Sequence, residues 1–154
     1  MISFIKKDIT TVTTGVIAHG VNCVGVMGSG VALSIRNKWN NVFTEYVDLV
    51  KKYNNPSELL GVSQVVQVEQ NELYVLNGFT QVSFGSDSKT YANVQAVEQV
   101  ISSGLAYAEY KNLPFYMPKI GCLRGGLSWE VDINPILVQL SNDHPTVEIF
   151  VCDL

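Results

Sequence analysis

Two glycine-rich segments hold the residues of this chain best suited to chemistry. The first is His19-Gly20-Val21-Asn22-Cys23-Val24-Gly25-Val26-Met27-Gly28-Ser29-Gly30-Val31-Ala32. The second is Pro118-Lys119-Ile120-Gly121-Cys122-Leu123-Arg124-Gly125-Gly126-Leu127-Ser128-Trp129. Each follows a short apolar run and opens a helical pattern. Glycine lets the backbone approach a ligand closely, and the N–H groups of a helix start favour phosphate oxygens. Two such loops suit a ligand with more than one phosphate, or a phosphate held from both sides. The spacing in Gly25-Val26-Met27-Gly28-Ser29-Gly30 is wrong for a GxGxxG fingerprint, and no GKS or GKT follows.

The polar residues beside these loops each have a functional and a structural reading. His19 is either a satisfied core histidine or a proton donor or acceptor at a phosphate. Asn22 either holds ribose hydroxyls through its amide or supports the turn. Asp8, after the first apolar run, either caps a turn or accepts a hydrogen bond from an adenine amine. Arg124 reaches a phosphate or solvates the loop rim. Glu130 and Asp132 begin a helix, where carboxylates suit the dipole, or orient a water. Cys23 and Cys122 lie near helix starts, which lower thiol pKa values. The run of backbone donors ending in arginine that cysteine phosphatases use does not follow Cys122, so a cysteine nucleophile is disfavoured. Trp129 reads as core, and His144 as part of a turn.

The elements that position these groups alternate along the chain. Strands are expected at 2–5, 15–19, 62–68, 73–76, 113–117 and 147–151. Helices are expected at 31–38, 41–53, 91–110 and 129–140, the last kinked or shifted by Pro135. Residues 69–72 give hairpin spacing, and 78–89 read as a polar loop that includes Ser86, Asp87 and Ser88. No repeat or linker interrupts the pattern. It predicts an α/β layered fold with a mixed sheet, and ligands in such folds bind outside the strand carboxyl ends.

The 154 residues fit one domain, 1–154, with a sizeable core. A net charge of −4 argues against general nucleic-acid binding, which needs a basic face. The three cysteines lack CxxC spacing, which disfavours zinc sites and disulfide scaffolds and fits a reduced, cytoplasmic setting. The start lacks the order of a signal peptide, and no apolar run of about 18 residues reads as a membrane span. Nothing in the sequence calls for a metal or cofactor.

Taken together, these residues resemble the macrodomain family. The resemblance runs through Lys7-Asp8-Ile9-Thr10, His19 to Cys23, Met27 to Ala32, Thr90-Tyr91-Ala92-Asn93-Val94, Met117 to Cys122 and Trp129. It implies a three-layer α/β/α fold that binds ADP-ribose. By that resemblance Asp8, with Ile9, holds the adenine end and Asn22 the distal ribose. Gly28, Ser29, Gly30 and Val31 line one side of the diphosphate. Gly121, Cys122, Leu123, Arg124, Gly125 and Gly126 form the other. The nearest branch holds ADP-ribose 1″-phosphate phosphatases and hydrolases that release terminal ADP-ribose. The hydrolases use a lysine after the central hairpin and an aspartate in the second loop; this chain has Phe79-Thr80-Gln81 and 123–128 there, without either. The phosphatases are similar in having a histidine where His19 stands, with an acidic partner, here Asp132 or Glu130. The expected activity is metal-independent removal of the terminal phosphate, with His19 and Asp132 as the catalytic pair. The alternatives are removal of mono-ADP-ribose from protein carboxylates and a non-catalytic reader. A monomer is expected, acting in the cytoplasm, or in host cytoplasm if viral.

Overall fold

The computed structural model describes residues 1–69, 72–85 and 89–154. Gln70 and Asn71 of the expected hairpin turn, and Ser86, Asp87 and Ser88 of the expected polar loop, lie outside the described residues. The strands are β1 (Ile2–Lys6), β2 (Gly15–Asn22), β3 (Ser63–Glu69), β4 (Leu73–Gln81), β5 (Phe115–Met117) and β6 (Ile149–Asp153). The helices are α1 (Gly30–Lys38), α2 (Asn40–Lys51), α3 (Val94–Lys111) and α4 (Asn134–Asp143).

One sheet takes the order β1-β6-β5-β2-β4-β3. Among these strands β3 pairs with β4 antiparallel, and the other neighbours run parallel. Side chains of a strand alternate between faces, and β2 shows it cleanly. Ile17 and Val21 join Ile35, Val42 and Tyr46 from α1 and α2 in one core. Val16 and Ala18 join Val97, Ile101 and Leu137 from α3 and α4 in the other. Both cores come from the sequence pattern, and together they make the expected three layers. Burying a branched side chain such as Ile17 or Val16 stabilises by about 1.5–3 kcal/mol, so β2 anchors both layers.

Several boundaries differ from the sequence expectation. β4 does not stop at Leu76 but runs through Asn77, Gly78, Phe79 and Thr80 to Gln81. Asn77-Gly78 carries turn-forming residue types, yet Asn77 finds side-chain partners and Gly78 lets α3 pack closely, since a Cβ there would collide with Val100. α3 begins at Val94 because the Asn93 side chain accepts from the Ala96 N–H at 2.9 Å. Pro135 sits in the first turn of α4, where its missing N–H costs nothing, and Trp129–Ile133 forms a separate wide π turn before it.

Candidate functional site

Parallel pairing from β1 to β4 brings five strand carboxyl ends to one edge of the sheet. Asp8 follows β1, the first glycine loop follows β2 and the second follows β5. Since β2 lies between β5 and β4, the first loop stands between the second loop and the segment after β4. Hydrogen bonds tie these pieces together. The Cys23 N–H donates to the Val82 carbonyl at 3.0 Å. The Gly125 carbonyl accepts from Tyr91 at 2.9 Å and from Ala92 at 3.0 Å. Gln81 bridges to Ala92. A separate groove of about 200 Å³, lined by Glu109, Asn112, Pro114 and Glu148, lies at the opposite edge and holds none of the predicted site residues.

The first loop is built in two parts. Residues 22–26 wrap around the Asn22 amide: its Oδ1 accepts from Val24 at 3.1 Å and Val26 at 3.4 Å, and its Nδ2 donates to the Val26 carbonyl at 2.9 Å. Of the two readings of Asn22, the loop-supporting one is what these contacts describe. Met27 then plugs into the core under α1 and α2. Beyond it, Gly28 and Ser29 lead into α1. Gly30 takes φ 61°, a conformation that favours glycine, and open space surrounds its Cβ position. Ser29 is the N-cap residue but its side chain makes no capping bond. The first N–H groups of α1 therefore have no side-chain cap, the arrangement that suits an anion.

In the second loop Gly121 and Gly126 take φ 80° and 84°, and Gly126 lies against Thr90 and the Lys89 carbonyl. Arg124 is exposed; the side chain of Leu123 lies outside what the structure describes. Burial pushes the Cys122 thiol up, outweighing the pull of Lys119, and burial raises Cys23 as well. Neither is an activated thiolate. Asp8 is exposed, with Oδ1 accepting from the Thr10 N–H at 3.0 Å and the Thr10 hydroxyl at 2.7 Å. Those bonds hold its carboxyl below the ordinary value. Ile9 turns its side chain into the core.

His19 and Asp132, expected as a catalytic pair, stand on different elements and make different hydrogen bonds. His19 is 1% exposed and lies within β2, not at a loop. Its Nε2 stands 2.6 Å from Asn77 Oδ1. Asn77 in turn donates to Gln64 Oε1 at 3.1 Å and to the Val42 carbonyl of α2 at 3.4 Å. Asn77 spends its N–H groups there, so its oxygen accepts and His19 donates. Burial is the larger influence on His19 and lowers its pKa to about 4, with the Asn77 bond opposing. The ring is thus neutral at pH 7 and sits on the α2 face. Asp132 belongs to the turn that packs with α3 and α4 on the other face. There it accepts from the Ser128 N–H at 2.8 Å, while Ser128 Oγ accepts from Val131 at 3.2 Å. This reciprocal pair caps the turn, and the neighbouring Glu130 is exposed.

Sequence reasoning missed Asn77, Gln64 and the part played by the Tyr46 hydroxyl. Their signals were a tyrosine on the buried stripe of a helix and polar side chains in strand positions, each of which needs a partner once buried.

A family model described as Macro domain matches residues 18–133. The DNA ADP-ribosyl glycohydrolase of Mycobacterium tuberculosis is 26% identical over 152 residues, covering 98% of this chain and 42% of that protein. The chain thus spans less than half the length of this relative. The ADP-ribose 1″-phosphate phosphatase of Candida albicans is 26% identical over 159 residues, covering 97% and 99%. The macrodomain of Mycobacterium tuberculosis DarG superposes with a TM-score of 0.83 at 24% identity, covering 100% and 98%.

Proposed function

This chain belongs to the macrodomain family, and we propose that residues 1–154 act as one macrodomain that binds ADP-ribose and removes the terminal phosphate of ADP-ribose 1″-phosphate. The observation that carries the reading is the uncapped α1 start in a glycine loop, set between the second glycine loop and the segment after β4. The N–H groups of Gly30 and Val31, with Gly28 and Ser29, face one side of the diphosphate. Gly121, Cys122, Leu123, Arg124, Gly125 and Gly126 face the other. Asp8, an ionised acceptor with Oδ2 outside the Thr10 bonds, takes the adenine amine. Asn22 acts on the distal ribose through the loop it shapes.

In the reaction water adds to phosphorus, the bond from phosphorus to the 1″ oxygen breaks, and the proton given up by the attacking water ends on that oxygen. Fixed N–H donors and Arg124 stabilise the charge on the phosphoryl oxygens. His19 takes no proton in this scheme, because its ring is enclosed and neutral. Asp132 Oδ2 accepts from the Ser128 N–H, and the scheme assigns Asp132 no proton transfer.

A second reading is glycohydrolase action on an ADP-ribosyl group, supported by the mycobacterial relative that aligns along 98% of the chain. Gln81, where the hydrolases of the resemblance use a nearby lysine, weighs against it. The deciding experiment supplies ADP-ribose 1″-phosphate and follows phosphate release, with calorimetric ADP-ribose binding on the same batch. Release with binding supports the phosphatase. Binding without release assigns the protein to the readers or glycohydrolases, and modified protein or DNA is then the substrate to supply.

A further inference from the structure

The first loop has no regular backbone pairing between residues 24 and 29, yet a specific shape. One buried group from a distant element makes three contacts with it, at Asn22 and Gly25. Tyr46 lies in the middle of α2 and is fully buried. Its hydroxyl is 2.7 Å from the Asn22 carbonyl and 2.7 Å from Asn22 Oδ1. The same oxygen accepts the Gly25 N–H at 3.1 Å. Gly25 takes φ 84°, so this bond fixes the one residue of the 22–26 turn in the left-handed region. The ring below is held by Phe79, with centroids 5.7 Å apart, and by Phe43 at 6.4 Å. The hydroxyl therefore arrives on a packed support.

We infer that Tyr46 is a positioning residue for ligand binding: its hydroxyl locks the turn at 22–26 and so presents residues 28–32 in their anion-binding form. This rests on the reading that the first loop holds the ligand phosphates. Tyr46 has no route to the ligand itself. Its effect passes through Asn22 and Gly25 to the residues that follow. A phenol supporting packing alone would not need three contacts with a loop more than twenty residues away.

The test compares wild type, Tyr46→Phe and Phe79→Leu. Tyr46→Phe keeps the ring and removes only the hydroxyl. Phe79→Leu loosens the ring's support and leaves the hydroxyl. Amide exchange is read at Gly25 and Val26 in the free proteins, with Val100 and Ile101 of α3 as reference, and ADP-ribose affinity by calorimetry. In wild type the Gly25 amide is slow to exchange. In Tyr46→Phe it exchanges at least tenfold faster while the α3 amides hold, and affinity falls about tenfold, the loss of one to two buried hydrogen bonds. Phe79→Leu lowers the melting temperature but keeps affinity within about threefold. Unchanged affinity in Tyr46→Phe, or an unprotected Gly25 amide in wild type, overturns the inference. If wild type binds no ADP-ribose, the ligand reading fails, and the exchange data alone decide whether the lock exists. If Tyr46→Phe cannot be purified folded, wild-type protection of Gly25 and the affinity of Phe79→Leu decide it.

Discussion

His19 Nε2 and Asn77 Oδ1 lie 2.6 Å apart on neighbouring parallel strands, at the same register position. The pair is enclosed beneath α2, and His19 Nδ1 has no hydrogen-bond partner among the described residues. A histidine so placed ties β2 to β4, and its influence on the ligand site runs through the fold.

His19→Ala therefore tests fold against catalysis. It removes a buried ring and leaves Asn77 Oδ1 without its donor, at a cost of about 3 kcal/mol. The melting temperature is expected to drop by about 10 °C. Below that temperature, phosphate release per folded molecule stays within about twofold of wild type. A hundredfold loss of turnover with an unchanged melting temperature would restore His19 to the catalytic step.

The same residue makes stability depend on pH. Its pKa is lowered from 6.5 to about 4 in the folded protein. Between those values the unfolded chain binds the proton and the folded chain does not, so stability rises with pH. The contribution is complete above about pH 6.5 and is lost as pH falls toward 4, about 3 kcal/mol in all. Denaturant midpoints from pH 7 to pH 4 should show this slope. His19→Gln, which keeps an N–H donor and cannot titrate there, should flatten it.

Much of this arrangement was legible beforehand. The apolar runs marked all six strands, and the two glycine loops were placed at strand carboxyl ends on chemistry alone. Strand parity carried more than was drawn from it. His19 shares parity with Ile17 and Val21, the side that meets α1 and α2, while the glycine loop begins at Asn22, where β2 ends. Ending the second strand at His19 moved it toward the ligand. Asn77 was hidden because Asn-Gly reads as a turn, and only the neighbouring strand and helix supply what keeps it in β4. Tyr46 was legible as a core residue, but the destination of its hydroxyl depends on tertiary geometry.

Asp8 should read the nucleobase. Asp8→Asn keeps an oxygen for the Thr10 N–H, so the turn survives. Wild type should favour ADP-ribose over its hypoxanthine analogue, which has no amine to donate. Calorimetry of both ligands should show that preference shrink in the variant, with ADP-ribose bound about tenfold more weakly. An undiminished preference would remove Asp8 from the adenine site.

Gly28 offers a way to fill the cradle without disturbing the scaffold. A Cβ there meets only Val26 Cγ1 at 3.5 Å, an ordinary contact, and its φ is not in the left-handed region. Gly28→Val should leave the melting temperature within a few degrees and weaken ADP-ribose binding more than tenfold. Gly126→Ala differs, because its Cβ would stand 2.9 Å from Thr90 Cα at φ 84°. That variant should lose stability and affinity together. Should Gly28→Val bind normally, the diphosphate does not pass over this loop.

Cys122 separates a thiol mechanism from one built on backbone donors. It lies in the second loop, partly buried, with Sγ 3.8 Å from the Ile120 carbonyl. Burial raises its pKa, and the carboxylates of Asp132 and Glu130 add to the rise. At pH 7 it is a thiol, and a thiol attacks phosphorus poorly. Cys122→Ser should keep phosphate release within about threefold, because the loop N–H groups stay in place. Iodoacetamide should label Cys122 more slowly than a free thiol at pH 7, with the rate climbing as pH rises above 9. Loss of all phosphate release in Cys122→Ser, together with rapid labelling at neutral pH, would mean that the second loop supplies a nucleophile rather than a cradle.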